Sequence, residues 1–466
     1  TWLGSYGPVN MTAVNFGPDN IALLNQSGLI NPTQPALSMM KNTSWPIYVT
    51  GPNQIVFNMY APFLWFPGLL AGFEGEIFDV QYLLHHGGFG TPTTFNSFFN
   101  LNPLPGTGPY MVTQVSANSF VQFVQDPNYW AKNWTTAQVA QNPFFDKGHV
   151  KNVIINTKLD DLARYTDLST GAAQLSVVES ADWNLVTANP AKYSYFTLPQ
   201  HFALQMLISL NTHLYPTNIT AVRQAIVHAI NYPDIIAKAF LGNATEGVAP
   251  EYPAFQQFYN LANLPPYSYN LTLAKQYLAK ANITSFPTLT YYTSSSCLPC
   301  EVIGEIVQSD LAALNINVNI LVVQSGTYYA SQGTYATNLN NSAVNGHITI
   351  NGGAAWAPSA LTPVDAWADF VSNTSFLGNT AVYYNPTVQN SLNAFFTSSN
   401  ITYIQSQIKL AQVQIYNDAP YVPLELGLLY GSGSIVWQKG VVHSFLLDPL
   451  SGGVDIMPLF NTVTFG

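Results

Sequence analysis

The order of polar and apolar positions changes period several times along this 466-residue chain. Alternation appears first in Gln54–Met59 (QIVFNM) and then in Tyr110–Val115 and Ser119–Gln125. The last two predict strands of a hairpin joined at Ser116-Ala117-Asn118. His149–Thr157 (HVKNVIINT) reads as another strand, and Phe202–Leu210 as an apolar strand running into Asn211-Thr212. Spacings of three and four predict helices elsewhere. One runs from Asp160 to about Thr170 and stops at Gly171. A second presents Ile219, Val222, Ile226 and Ile230 on one face, with Asn218 and Thr220 as capping residues. A third covers Asp234–Leu241 after Pro233, and a fourth is capped by Asn270 and presents Leu273, Tyr277 and Leu278. Thr402–Asn417 is a further helix ending before Pro420.

The stretch from 288 to 323 is the most legible. Thr288–Thr293 alternates like a strand, Cys300–Leu314 carries Val302, Ile306, Ser309/Asp310 and Ala313 at amphipathic spacing, and Asn317–Val323 is again strand-like. Strand, helix and strand at this length predict a βαβ unit with parallel strands and a right-handed crossover. No internal repeat or low-complexity tract is present, and the length suits about three units of ~150 residues.

Composition narrows the function classes. Only 13 Lys plus Arg and 23 Asp plus Glu occur, 8% of the chain, while 48% is hydrophobic. Ordinary soluble proteins carry ~25% charge. Disorder needs low hydrophobicity, so it is excluded. Nucleic acid is excluded as a partner by the net charge of −10 and the lack of a basic cluster. No run approaches the ~20 apolar residues of a membrane span. Full protonation would give about +21 (13 basic residues plus 8 His), against roughly +56 at ordinary composition. Weaker self-repulsion suits an acidic environment; the alternative is a merely polar surface at neutral pH.

Asn-x-Ser/Thr sequons begin at Asn10, Asn25, Asn42, Asn133, Asn218, Asn243, Asn270, Asn282, Asn340, Asn373 and Asn400. Their spread favours a glycosylated, secreted chain. Cys297-Leu-Pro-Cys300 is read as a short-loop disulfide, with a redox or zinc motif as the alternatives. A search for catalysis returns nothing: there is no His-Glu-x-x-His, Gly-x-Ser-x-Gly or Gly-x-x-x-x-Gly-Lys-Ser/Thr. His85-His86 are neighbours and chelate poorly, and Asp160-Asp161 and Glu74/Glu76 read as caps and flanks. Neither enzyme activity, cofactor nor metal is expected.

Pro105-Gly-Thr-Gly-Pro-Tyr110 and Gln125-Asp-Pro-Asn-Tyr-Trp130 resemble the "GTGPY … NPDYW" signature of family 5 extracellular solute-binding proteins, the peptide/nickel/oligosaccharide type of ABC transporter. Ile208–Thr212 resembles that family's "fNt" strand, and Val222–Asn231 its "vRqAlsyAidr" helix. Ser268–Leu278 resembles "yDpekAkaLL", and Asp418–Leu424 resembles "d.P.iPly". Together these matches run in family order over residues ~50–466, an archaeal-like, charge-poor version. The resemblance implies an α/β fold of the two-lobed, type II (cluster C) periplasmic-binding-protein class, with mixed sheets flanked by helices. It places one lobe at 1–212 plus 426–466 and the other at 213–425, with crossings near Asn211 and Pro423. It implies an oligosaccharide or oligopeptide ligand between the lobes, an ABC permease as partner, and an extracellular or cell-surface location, any membrane anchor lying outside this sequence.

Two departures from the family matter. The usual N-terminal portion is not visible, so it is expected from processing, a separate chain, or self-association of an open sheet edge. A self-assembling surface protein on this scaffold is the alternative function. The family's "W-x-x-D-y-x-D-P" loop reads Trp356-Ala-Pro-Ser359-Ala-Leu-Thr362-Pro, with Asp365 nearby. The acids that would face a peptide's amino group are replaced by hydroxyls, which suits a neutral, hydroxyl-rich ligand. The expected ligand contacts are Trp356, Ser359, Thr362, Asp365, Trp367, Tyr383 and Asn211; Arg223 is assigned to securing a helix.

Overall fold

The computed structural model describes residues 47–51, 54–57, 63–71, 79–88, 90–91, 94–157, 160–178, 182–197, 205–242, 244–248, 257–283, 285–295, 297–332, 335–351, 379–426, 434–447 and 458–465. A short hairpin pairs β1 (Ile47–Gly51) with β2 (Gln54–Phe57). Next comes an antiparallel meander of β3 (Tyr110–Ser116), β4 (Phe120–Gln125) and β5 (Asn152–Asn156). Asn118, with φ 56°, turns the predicted hairpin. The signature Tyr110 lies against Gly148: its hydroxyl donates to Val150 O at 2.8 Å, and a Cβ on Gly148 would come within 2.6 Å of that oxygen.

Helix α1 (Asp161–Thr170) begins at Asp160, whose carboxylate accepts from Ala163 N, and ends at left-handed Gly171 as expected. Beyond it lie β6 (Leu175–Ser176) and β7 (Tyr193–Thr197), whose central partner is the distant β14 (Ser434–Gln438). Leu168, Val178, Trp183, Val186, Tyr193 and Val436 form the core of this body.

The main sheet has six strands in the order β9, β13, β8, β12, β10, β11. These are β8 (Gln205–Leu210), β9 (Ala244–Glu246), β10 (Leu289–Ser294), β11 (Val318–Val323), β12 (Ile348–Asn351) and β13 (Tyr421–Leu426). β10 and β11 are parallel and joined by helix α5, which realises the predicted βαβ unit. Helices α2 (Thr220–Ala229), α3 (Tyr232–Lys238), α4 (Leu271–Ala281) and α5 (Leu298–Ala312) cover one face; α6 (Pro386–Leu392) and α7 (Ile401–Asp418) cover the other.

Pleating sorts the side chains between the two faces. Met206, Ile208 and Leu210 enter the α2–α5 core, while Leu207 enters the α6–α7 core; Val422 and Leu424 oppose Tyr421 in the same way. Pro423 sits inside this sheet, where proline ordinarily breaks pairing. Leu210 N donates to Pro420 O, so the hydrogen-bonded pairs are 210/420 and 208/422, and Leu207 opposite Pro423 is a non-bonded pair. Position 423 therefore needs no N–H toward β8. On its other side β9 has already ended, its last pair being Glu246 with Leu424.

The predicted cap of α2 is corrected. Ile219 occupies that position without a side-chain bond, because the Thr220 hydroxyl accepts from Arg223 Nη2. Helix α3 starts at Tyr232, two residues early, since Asn231 caps it through Asp234 N. Asn270 and Asn400 cap α4 and α7 through Leu273 N and Tyr403 N. Among the described residues no helix is long and apolar enough to cross a membrane.

Candidate functional site

Strand direction defines two opposite edges of the main sheet. β10, β11 and β12 run parallel, so their C-terminal ends, Ser294, Val323 and Asn351, lie along one edge. The register pairs Leu207 with Asn351 and Gln205 with Glu425. The chain therefore enters β8 and leaves β13 at this same edge. In α/β sheets the carboxyl edge of parallel strands is where ligands bind. The described groups here include serine hydroxyls and a stapled helix start with Glu301 in its first turn, and Glu425 stands at the end of β13. Ser294 Oγ lies 3.1 Å from Ser325 Oγ, and Ser295 N donates to Val323 O. The Cys297–Cys300 disulfide, with Cα atoms 5.3 Å apart, closes the first turn of α5.

The opposite edge is a dense network. Asn211 is 2% exposed: its Oδ1 accepts from His213 N and Leu214 N, and its Nδ2 donates to Gly346 O. Thr212 donates to Val382 O, and Ser209 Oγ meets Thr380 Oγ1 at 2.6 Å. The Tyr383 hydroxyl donates to Asp418 Oδ2 at 2.6 Å, which also accepts from Asn385. Burial, and then the Asp418 carboxylate, hold this phenol protonated far above the usual range. Arg223 donates to Asp418 O, Thr217 O and the Thr220 hydroxyl. Burial lowers its pKa, and Asp418 opposes that shift. His347 Nδ1 accepts from Thr290 N, so Nε2 carries the proton and donates to Tyr215 O. Burial lowers its pKa below the usual histidine value.

The expected ligand residues thus divide. Asn211 and Tyr383 are brought together at the network edge, and both are bonded within the fold. A six-residue strand is about 20 Å long, which separates them from the edge where β12 ends. Trp356, Ser359, Thr362, Asp365 and Trp367 follow β12 in the chain and lie outside the described residues. Arg223 secures the start of α2, as expected. Asn133, Asn218, Asn270, Asn282, Asn340 and Asn400 are exposed; the other sequon asparagines lie outside the described residues. Sequence reasoning missed Ser294, Ser295 and Ser325. The signal was present, because each closely follows the C-terminal end of a strand in the recognised βαβ unit. No group of His, Cys, Asp or Glu among the described residues could hold a metal ion.

Solved structures share this architecture at low identity. The periplasmic binding protein DppA from Helicobacter pylori, in complex with the peptide STSA, aligns with 96% of this chain and 81% of its own at TM-score 0.71 and 20% identity. The dipeptide-binding protein of a Pseudoalteromonas species, bound to Met-Leu, gives 0.69 at 16% identity over 97% of this chain and 85% of its own. The fold is that of the type II periplasmic binding proteins, mixed α/β with several sheets.

Residues 21–370 match the family model of the bacterial extracellular solute-binding proteins, family 5. The chain belongs to that family, whose members bind solutes and are not enzymes. Curated relatives include the glutathione-binding protein GsiB of Pectobacterium atrosepticum, 26% identical over 73% of this chain and 62% of the relative. GsiB of Salmonella typhimurium is 24% identical over 83% of this chain and 69% of its own. The chain spans about 60% of the length of the first of these relatives.

Proposed function

We propose that this chain is the extracellular ligand-binding component of an ABC-type transporter, taking a short peptide or oligosaccharide between two lobes and presenting it to a membrane permease. One observation carries the reading. The chain passes between its two principal sheets twice, and both passages are flanked by paired strands. Thr197 pairs with Ser434 on one side, and Gln205 pairs with Glu425 on the other. Residues 198–204 and 427–433 thus connect the same two bodies in the chain, a connectivity suited to two bodies closing on a ligand. The sheet pairing supports a first crossing at 198–204, ahead of the one expected near Asn211; the proposed lobes are 1–197 with 434–466 and 205–426, with β8 and β13 as the strands that enter and leave the second.

Ligand contact belongs to the segment that follows β12: Trp356, Ser359, Thr362, Asp365 and Trp367. Asn211 and Tyr383 hold the far ends of the crossing strands instead. With hydroxyls in place of two family acids, the ligand is an uncharged or weakly charged oligomer, an oligosaccharide ahead of a peptide with a free amino group. The family's extracellular location supports a chain that works outside the cell, and the sequons agree with that reading.

Thermal unfolding of the purified protein against panels of di- to pentapeptides and oligosaccharides tests this. A true ligand at 100 times its Kd stabilises by about 2.7 kcal/mol. Ligand binding should also compact the protein in small-angle scattering. A protein that responds to neither panel and polymerises instead refutes transport.

A further inference from the structure

An aromatic cluster stands in the open beside one of the sequons. Trp130 is 57% exposed, Phe144 43% and Phe145 36%. Trp130 meets Trp134 at 5.5 Å and Phe145 at 5.2 Å, and Trp134 meets Phe145 at 5.5 Å, all edge to face. Such a platform is unusual on a water-facing surface unless something covers it.

The backbone says what lies next to it. Lys132 N donates to Tyr129 O and Trp134 N to Ala131 O, so residues 129–134 wind as consecutive turns. In that geometry positions three and four apart share a side. The contact between Trp130 and Trp134 shows that they do. Asn133 is exposed, stands between Trp130 and Trp134 in the same run of turns, and is the first residue of Asn133-Trp134-Thr135. Thr135 closes the segment by capping the next short turn of helix through Gln138 N.

We propose that Asn133 carries an N-linked glycan whose first sugars lie on the Trp130 ring. This rests on the extracellular location proposed above. Asn133 Nδ2 attacks the anomeric carbon of a lipid-linked glycosyl phosphate. The N–C bond forms, the C–O bond to phosphate breaks with the electron pair leaving on phosphate, and Nδ2 gives up one proton. A pyranose presents an apolar face of C–H groups, and the face of an indole is its natural complement. The glycan thus covers surface that a protein partner would otherwise have to bury.

Glycopeptide mass spectrometry on the full chain purified from its natural source is the first test. The peptide containing Asn133 should carry sugar. A bare Asn133 with sugar on other sequons overturns this site and leaves the extracellular reading intact. Bare asparagines at every sequon overturn both. Hydroxyl-radical footprinting is the second test, comparing the native glycoprotein with Asn133→Gln made in the same source. Trp130 should oxidise at least twofold faster in the variant. Equal rates refute stacking even where the glycan is present. The exposed Asn133 side chain leaves folding of the variant undisturbed, and unchanged thermal unfolding would confirm that.

Discussion

Replacing Gly304 by Ala sets two effects of opposite sign against each other. Gly304 lies in the middle of α5, where Ala is the better helix former by about 1 kcal/mol. A Cβ there would stand 2.7 Å from Tyr291 Cε1, 3.0 Å from Cδ1 and 3.2 Å from Cζ. Carbon atoms normally rest ~3.5–4.0 Å apart, so all three contacts are repulsive. The ring has little room to retreat. Tyr291 is fully buried, and its hydroxyl donates to Cys300 O at 2.5 Å, one turn back on the same helix. Overpacking a filled core costs about 1–3 kcal/mol. Shifting the ring also weakens a buried hydrogen bond worth about 1 kcal/mol. The steric side wins, and Gly304→Ala should lose about 1–3 kcal/mol. For a body of about 200 residues that lowers Tm by roughly 3–10 °C. Calorimetry of Gly304→Ala, Tyr291→Leu and the double variant checks it. The double variant should recover at least 1 kcal/mol relative to additivity. A single variant as stable as the parent, or more so, would show that helix propensity prevails and that α5 does not sit this close to β10.

Other expectations follow from single groups. Cys297→Ser/Cys300→Ser removes a four-residue loop closure, worth about 2 kcal/mol by loop entropy, and should lower Tm in oxidising buffer only. His347 titrates below its usual value in the fold, so the folded protein binds fewer protons than the unfolded chain near pH 6. Stability should therefore rise as pH climbs toward and through about 6.5, and fall below it; His347→Gln should flatten this slope in urea titrations at pH 5 and 7. Arg223→Lys leaves Asp418 O, Thr217 O and Thr220 short of donors and should cost about 2–4 kcal/mol. Among the described residues, Gln332 Oε1 and Asn345 Oδ1 are buried without a partner. A crystal structure at ~2 Å should show an ordered water at each.

Local chemistry was legible wherever one residue decides a conformation. Asp160, Asn270 and Gly171 ended their helices as their side chains or their freedom at positive φ dictate. The βαβ unit was legible because its two strands are close in sequence and its helix has a clean apolar face. Strand β12 was not: four residues, Ile348–Asn351, acquire strand character only by lying between β8 and β10, which are distant in sequence. Strand β13 was hidden by Pro423, whose place in the ladder depends on where β9 stops. The cap of α2 was misread because Arg223 competes for the Thr220 hydroxyl. Asn211 carried the family signature but sits a strand's length from the loop-bearing edge, a fact that needs strand direction as well as position.

Those two edges explain how so few charges suffice. The network edge concentrates buried charge where precision is needed: Arg223 and Asp418 converge, with Tyr383 and Asn385, on the turn that leads into β13. These bonds tie α2 and the 379–385 segment to the end of α7, while Ser209 and Thr212 tie the end of β8 to Thr380 and Val382. The end of β8 and the turn that leads into β13 are therefore held within the main-sheet body. The other edge carries Ser295 on the surface beside the part-buried Ser294–Ser325 pair, groups that donate and accept without a fixed charge, together with Glu425. Burying an isolated charge is far costlier than burying an unpaired hydroxyl, so exchanging acids for hydroxyls lowers the cost of burying this surface. The neutral ligand proposed above rests on Ser359 and Thr362 standing where the family carries acids.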